Sequence, residues 1–199
     1  MCAAVGARAG VKRQPAFVAQ WRTVVVTERD RLREKVPDLA ATAARPLAMR
    51  GVPRQVTLPG WTGPTFFSSE LGEGRLRTIE AFAPALAESS NVSGWVLGSV
   101  RDPMAWSAEE AVAAFVVQRG TGHVVLVDLE HGGRPTYVNA SAGLFLDSID
   151  VFLQWWETWR RRDPEVRRLR DDLTRLDVSA LASADHYWPH WIDDLKDFG

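Results

Sequence analysis

The stretch Ala113-Ala114-Phe115-Val116-Val117-Gln118-Arg119-Gly120-Thr121-Gly122-His123-Val124-Val125-Leu126-Val127-Asp128 decides the fold. Two β-branched, apolar runs flank a short link that carries two glycines, which is the pattern of a β-hairpin. Downstream, Gly132-Gly133 makes a second turn and returns the chain as Tyr137-Val138. Three consecutive strands joined by tight turns read as an antiparallel meander.

Upstream of the hairpin, β-patterned segments fall at 55–58, 65–69, 75–83 and 94–100, and the meander itself occupies 113–119, 123–130 and 136–139. The first part of the chain reads as helical, with Phe17, Val18, Trp21 and Val24 or Val25 at helical spacing and a further helical start at Thr27-Glu28. The run Val24-Val25-Val26 reads equally as a short strand. Pro46 and then Gly51-Val52-Pro53 are expected to stop the helical pattern.

After Asn139 the period changes. Phe145, Ile149, Phe152, Trp156 and Trp159 form an apolar helical stripe, with Asp147, Asp150, Gln154 and Glu157 off it and Asn139 or Ser141 as the cap. A second helix starts at Asp163-Pro164, where proline's missing N–H costs nothing, and carries the stripe Val166, Leu169, Leu173, Leu176. A last helical stretch over 179–198 must start or kink at Pro189. Strands grouped together and helices grouped together give an α+β fold, an antiparallel sheet with helices packed on one face. The expected organisation is a flexible or weakly ordered segment over 1–26 and a single domain over 27–199.

The 199 residues carry a net charge of −1, so no global field draws the chain to nucleic acid or an anionic membrane. Cys2 is the only cysteine, so no intramolecular disulfide forms, which fits a reducing compartment. Residues 1–27 hold Arg8, Lys12, Arg13 and Arg22 without an acid, but no apolar run has signal-peptide or membrane-spanning length. The expectation is a cytoplasmic protein that does not engage a membrane.

Catalytic signatures are missing. There is no G-x-S-x-G elbow around Ser93-Gly94, no phosphate-binding loop, and Gly120-x-Gly122 leads into a strand where a dinucleotide fingerprint needs a helix. His186 and His190, beside Asp185, are four apart like helical zinc ligands, but Pro189 disturbs the turn between them. Asp128-Leu129-Glu130-His131 reads as a solvated hairpin end with too few ligands for a metal. The cations of Arg160-Arg161-Arg162, Arg167, Arg168 and Arg170 alternate with Asp163, Glu165, Asp171 and Asp172, the pattern of a solvated helix face. No cofactor, no metal and no direct nucleic-acid contact is expected. Among nine tryptophans, Trp155 adjoins the stripe position Trp156 but points about 100° away from it, either as an exposed binding anchor or packed under the C-terminal helix.

Several stretches together resemble the SUKH immunity proteins, the fourth subfamily most closely. These are Gly94-Trp95-Val96-Leu97-Gly98-Ser99-Val100, the hairpin ending Val127-Asp128-Leu129-Glu130-His131-Gly132-Gly133, and the helix lead-in Tyr137-Val138-Asn139-Ala140-Ser141. Gly51-Val52-Pro53 is similar to the family's "GLP" turn, and Trp188-x-x-Trp191-x-x-x-Leu195 to the subfamily's tail. The segment 102–110 is longer than the family pattern, and Ala140 stands where the family has serine. The resemblance implies a non-enzymatic protein that binds and neutralises a cognate bacterial polymorphic toxin of nuclease or deaminase type. Eukaryotic members of this fold imply an alternative, an intracellular regulatory scaffold; a small-ligand-binding module is a third reading. Such inhibition needs acidic and aromatic side chains that reach a toxin's cleft, and the candidates are Asp128, Glu130, His131, Tyr137 and Trp155.

Overall fold

A computed structural model describes residues 25–26, 29–32, 36, 39, 41–58, 65–71, 75–84, 87–88, 91–101, 111–132, 134–158 and 163–197. Its elements run β1 (Val25–Val26), β2 (Arg29–Asp30), α1 (Ala41–Arg50), β3 (Val52–Pro53), β4 (Gln55–Thr57), β5 (Thr65–Ser69), β6 (Arg77–Thr78), α2 (Ile79–Phe82), β7 (Gly94–Arg101), β8 (Ala111–Gln118), β9 (Val124–Asp128) and β10 (Thr136–Asn139). Then follow α3 (Ala142–Thr158), α4 (Asp163–Leu176), a 3-10 turn (Val178–Leu181) and α5 (Tyr187–Asp197).

The main sheet is antiparallel in the order β1-β4-β5-β7-β8-β9-β10, with β6 pairing β7. Its centre is the expected meander. Gly120 and Gly122 take φ of 80° and 73°, the left-handed region where a side chain would be strained, and Gln118 N–H bonds the His123 carbonyl across the turn at 2.9 Å.

Strand alternation divides the apolar runs between two cores. Phe115, Val117 and Val124 join the large core with Phe145, Ile149, Phe152, Leu169, Leu173 and Trp188 from the long helices. Ala114, Val116, Val125 and Val127 point the other way and bury against Ile79, Val92 and Val96. Uninterrupted runs such as Val124-Val125-Leu126-Val127 are therefore strands covered on both faces. The α+β class holds, with the long helices on one face and the short α2 on the other.

Three local expectations are corrected. Pro46 does not end a helix; it lies inside α1, which runs on to Arg50, and its ring packs close to Gly143 of α3. Only Arg77–Thr78 of the segment 75–83 is strand, because Thr78 Oγ1 caps α2 by accepting from Ala81 N–H at 3.3 Å. The chain after Thr27-Glu28 forms β2, paired with β3, instead of a helix. Val25–Val26 is a strand paired with Thr57 and Val56, the second of the two readings of Val24-Val25-Val26. The helical spacing of Phe17 to Val24, Cys2, Trp159, Arg160–Arg162 and the segment 102–110 lie outside the described residues.

The downstream helices follow their periodicity. Ser141 caps α3 by accepting from Leu144 N–H at 3.3 Å, and Pro189 sits in the first turn of α5. Arg50 at the end of α1 bridges Asp147 and Asp150 of α3, and Arg29 of β2 also pairs with Asp150, so the carboxylates off the apolar stripe hold α3 to the N-terminal elements.

Candidate functional site

The turn after β9 is built by one carboxylate. Asp128 Oδ1 accepts from the amides of Glu130 at 2.9 Å and His131 at 3.0 Å, and Oδ2 lies 3.3 Å from His131 Nδ1. Burial at the turn raises the Asp128 pKa, but the two amides and the His131 ring outweigh it and hold the carboxyl below its usual range. Leu129 N–H bonds the Val112 carbonyl at 2.9 Å and fixes the turn to the sheet. Asp128 is thus occupied in shaping the turn, and Glu130 and His131 project into solvent.

Tyr137 belongs to a different place. It pairs with Val125, three residues back along β9 from Asp128, or about 10 Å at strand spacing. Its hydroxyl meets Ser179 Oγ at 2.7 Å, and its half-buried ring packs on His123 at 5.5 Å and His186 at 4.8 Å between centroids. His186 Nδ1 lies 3.0 Å from the Ser179 carbonyl, so it donates there. Burial raises the Tyr137 pKa and nearby Asp177 adds to the rise against the Ser179 bond, so the phenol stays neutral at physiological pH.

Behind Tyr137 lies a buried polar junction that sequence reasoning missed. Asn139, fully buried, donates to Ser148 Oγ at 3.1 Å and Asp177 Oδ2 at 2.9 Å, and accepts from Trp188 Nε1 at 3.1 Å. Asp177 also accepts from Ala140 N–H at 2.9 Å, from Ser179 N–H at 3.1 Å and from the Ser179 hydroxyl. Burial pushes the Asp177 pKa up, and the donors of Ser179, Ala140 and Asn139 more than reverse it. A carboxylate so held is a poor proton acceptor and a strong structural anchor. The available signal was an asparagine closing a strand and an aspartate after an apolar helix, both of which also read as caps.

The remaining candidates separate. Trp155 has only 7% of its surface exposed and packs on Phe152 and Trp156, so the reading as an exposed anchor is corrected and the ring belongs to the core. Its side still borders a groove of about 700 Å³ between α3 and α4. The α4 cations are interleaved as expected, with Asp172 pairing Arg168 and Arg175, and Arg170 reaching Asp193 of α5. His190 is exposed one turn beyond His186, and no group of three or more metal-ligating side chains gathers among the described residues.

The β9–β10 turn thus presents an acid and an imidazole to solvent, and an aromatic cluster lies at the sheet edge. No helix among the described residues is long and apolar enough to cross a membrane. No curated protein and no solved structure matches the chain. The family described as SUKH-4 immunity protein matches residues 20–194, a span that takes in every described strand and all but the last residues of α5, and the chain belongs to that family.

Proposed function

We propose that this protein is a cytoplasmic immunity protein that neutralises a cognate polymorphic toxin, of nuclease or deaminase type, by stoichiometric binding and without catalysis. The observation that carries the reading is the family match over residues 20–194. The site chemistry agrees with it. Glu130 and His131 stand exposed on a turn that Asp128 holds rigid, so little ordering cost falls on binding. An acid so presented complements the cationic cleft of an enzyme that acts on nucleic acid. Tyr137 supplies a half-buried aromatic contact further along the same hairpin.

Co-expression tests this reading. A candidate toxin domain of nuclease or deaminase type, sought among the reading frames next to this gene, is produced in a bacterial host alone and together with the protein, and viability is counted. Rescue by the protein, with a one-to-one complex on size-exclusion chromatography, is the expected result. Killing that persists at excess protein, with no complex formed, removes the immunity reading and leaves the regulatory scaffold in its place.

A further inference from the structure

The groove between α3 and α4 has an apolar floor and a charged rim. Val151, Trp155 and Leu176 form the floor, and Gln154, Arg168, Asp172 and Arg175 line the sides. The arginines lie two helical turns apart on one face of α4 with Asp172 between them. Among the described residues Asp172 is the one acid of the lining, shared at 3.8 Å with the Arg168 guanidinium and more closely with Arg175. Two cations against one anion leave a positive surplus among these residues. The arginine side chains are 80% and 75% exposed, so their charges face whatever enters the groove.

We infer that this groove receives an acidic segment of the toxin, one that places an apolar side chain on Trp155 and a carboxylate between Arg168 and Arg175. The inference rests on the immunity reading and names a surface for it separate from the β9–β10 turn. Charge complementarity selects the occupant. The chain's own N-terminal segment has the wrong sign, because residues 1–27 carry four cations and no acid. Bidentate arginine geometry matches a carboxylate, and the Trp155 edge with Val151 and Leu176 matches an apolar anchor. At its Leu176 end the chain continues through Val178, an exposed apolar residue, to Ser179, the hydroxyl partner of Tyr137. The groove and the aromatic cluster are thus joined by a few residues of backbone.

Asp172 makes the proposal testable in two directions. It competes with an incoming carboxylate, so Asp172→Asn is expected to tighten the complex about 3- to 10-fold, whereas Arg168→Glu combined with Arg175→Glu weakens it about 100-fold and lowers its salt sensitivity. A candidate toxin domain of nuclease or deaminase type, sought among the reading frames next to this gene, is the probe, titrated calorimetrically at two salt concentrations, with circular dichroism to establish that each variant is folded. A merely structural role for α4 charges would not tighten binding in Asp172→Asn. Wild-type binding that neither variant alters overturns the groove and leaves the immunity reading intact. Absence of wild-type binding overturns both. A concentration-dependent dimer of the wild type that Arg168→Glu/Arg175→Glu abolishes would assign the groove to a second copy and overturn the proposal.

Discussion

The indole N–H of Trp188 donates to Asn139 Oδ1 at 3.1 Å, and both side chains are fully buried. This bond ties α5 to the last strand of the sheet, and the same asparagine reaches α3 through Ser148 and the post-α4 segment through Asp177. Asn139→Ala strands a buried indole N–H and removes donors from Ser148 and Asp177. The expected cost is about 3 kcal/mol, because each unsatisfied buried group costs about 1–3 kcal/mol. Urea unfolding measures it; a loss below about 1 kcal/mol would show that the junction is peripheral to stability.

Asp177 gives that junction a pH dependence. Its folded pKa is depressed below the ordinary carboxylate value of 3.8, chiefly by hydrogen bonds that overcome its burial. A depressed carboxylate contributes stability that is complete above the unfolded pKa and is lost as pH falls through the folded one. Wild-type stability should therefore exceed that of Asp177→Asn at pH 7, and the gap should narrow below about pH 4. A gap that stays constant from neutral pH to acid would assign the effect to geometry alone.

Gly98 and Gly122 separate crowding from backbone strain. A Cβ on Gly98 would fall 2.4 Å from Phe67 Cζ and 2.6 Å from the Ser68 carbonyl, whereas one on Gly122 meets nothing within 4 Å but sits at φ of 73°. Gly98→Ala should cost about 3 kcal/mol through overpacking, and Gly122→Ala about 1 kcal/mol through left-handed strain alone. Thermal melts of the two variants side by side check the order, and equal losses would contradict the crowding at Gly98.

Within the β9–β10 turn, roles should separate by readout. Glu130→Ala with His131→Ala removes exposed groups that pack on little, so it should weaken toxin binding about 10-fold or more with stability unchanged to within about 0.5 kcal/mol. Asp128→Ala loses the carboxylate that accepts both turn amides; it should lower binding and stability together, the latter by about 1 kcal/mol. Full affinity in all three substitutions would exclude the turn as a contact.

The sequence made the meander and the α3 and α4 stripes legible because they rest on periodicity, which any partner on the buried face enforces alike. Phe145, Ile149 and Phe152 must face a core whatever it contains. The short elements were less legible. Thr78-Ile79 is β-branched and reads as strand until its hydroxyl caps α2, and Pro46 reads as a helix stop until tertiary packing offsets its missing N–H. Trp155 illustrates the same limit at the site. Spacing gives the direction in which it leaves α3, but whether α4 covers it depends on a contact distant in sequence. Asn139 and Asp177 were invisible as a pair because they lie 38 residues apart and meet only once α4 has folded back.

The junction at Asn139 also orders the assembly of the chain. β10 is the outer strand of the sheet at this end, and an outer strand left bare invites pairing with other chains. Here the 3-10 turn and α5 lie against it, held by bonds from the side chains of Tyr137 and Asn139 to Ser179, Asp177 and Trp188, all distant along the sequence. During synthesis, then, the meander emerges with an adhesive margin that stays open until Trp188 has been added. A chain cut after Leu176 lacks both that cover and the core side chains of Trp188, Ile192 and Leu195, and its expression level and aggregation would register the two losses together.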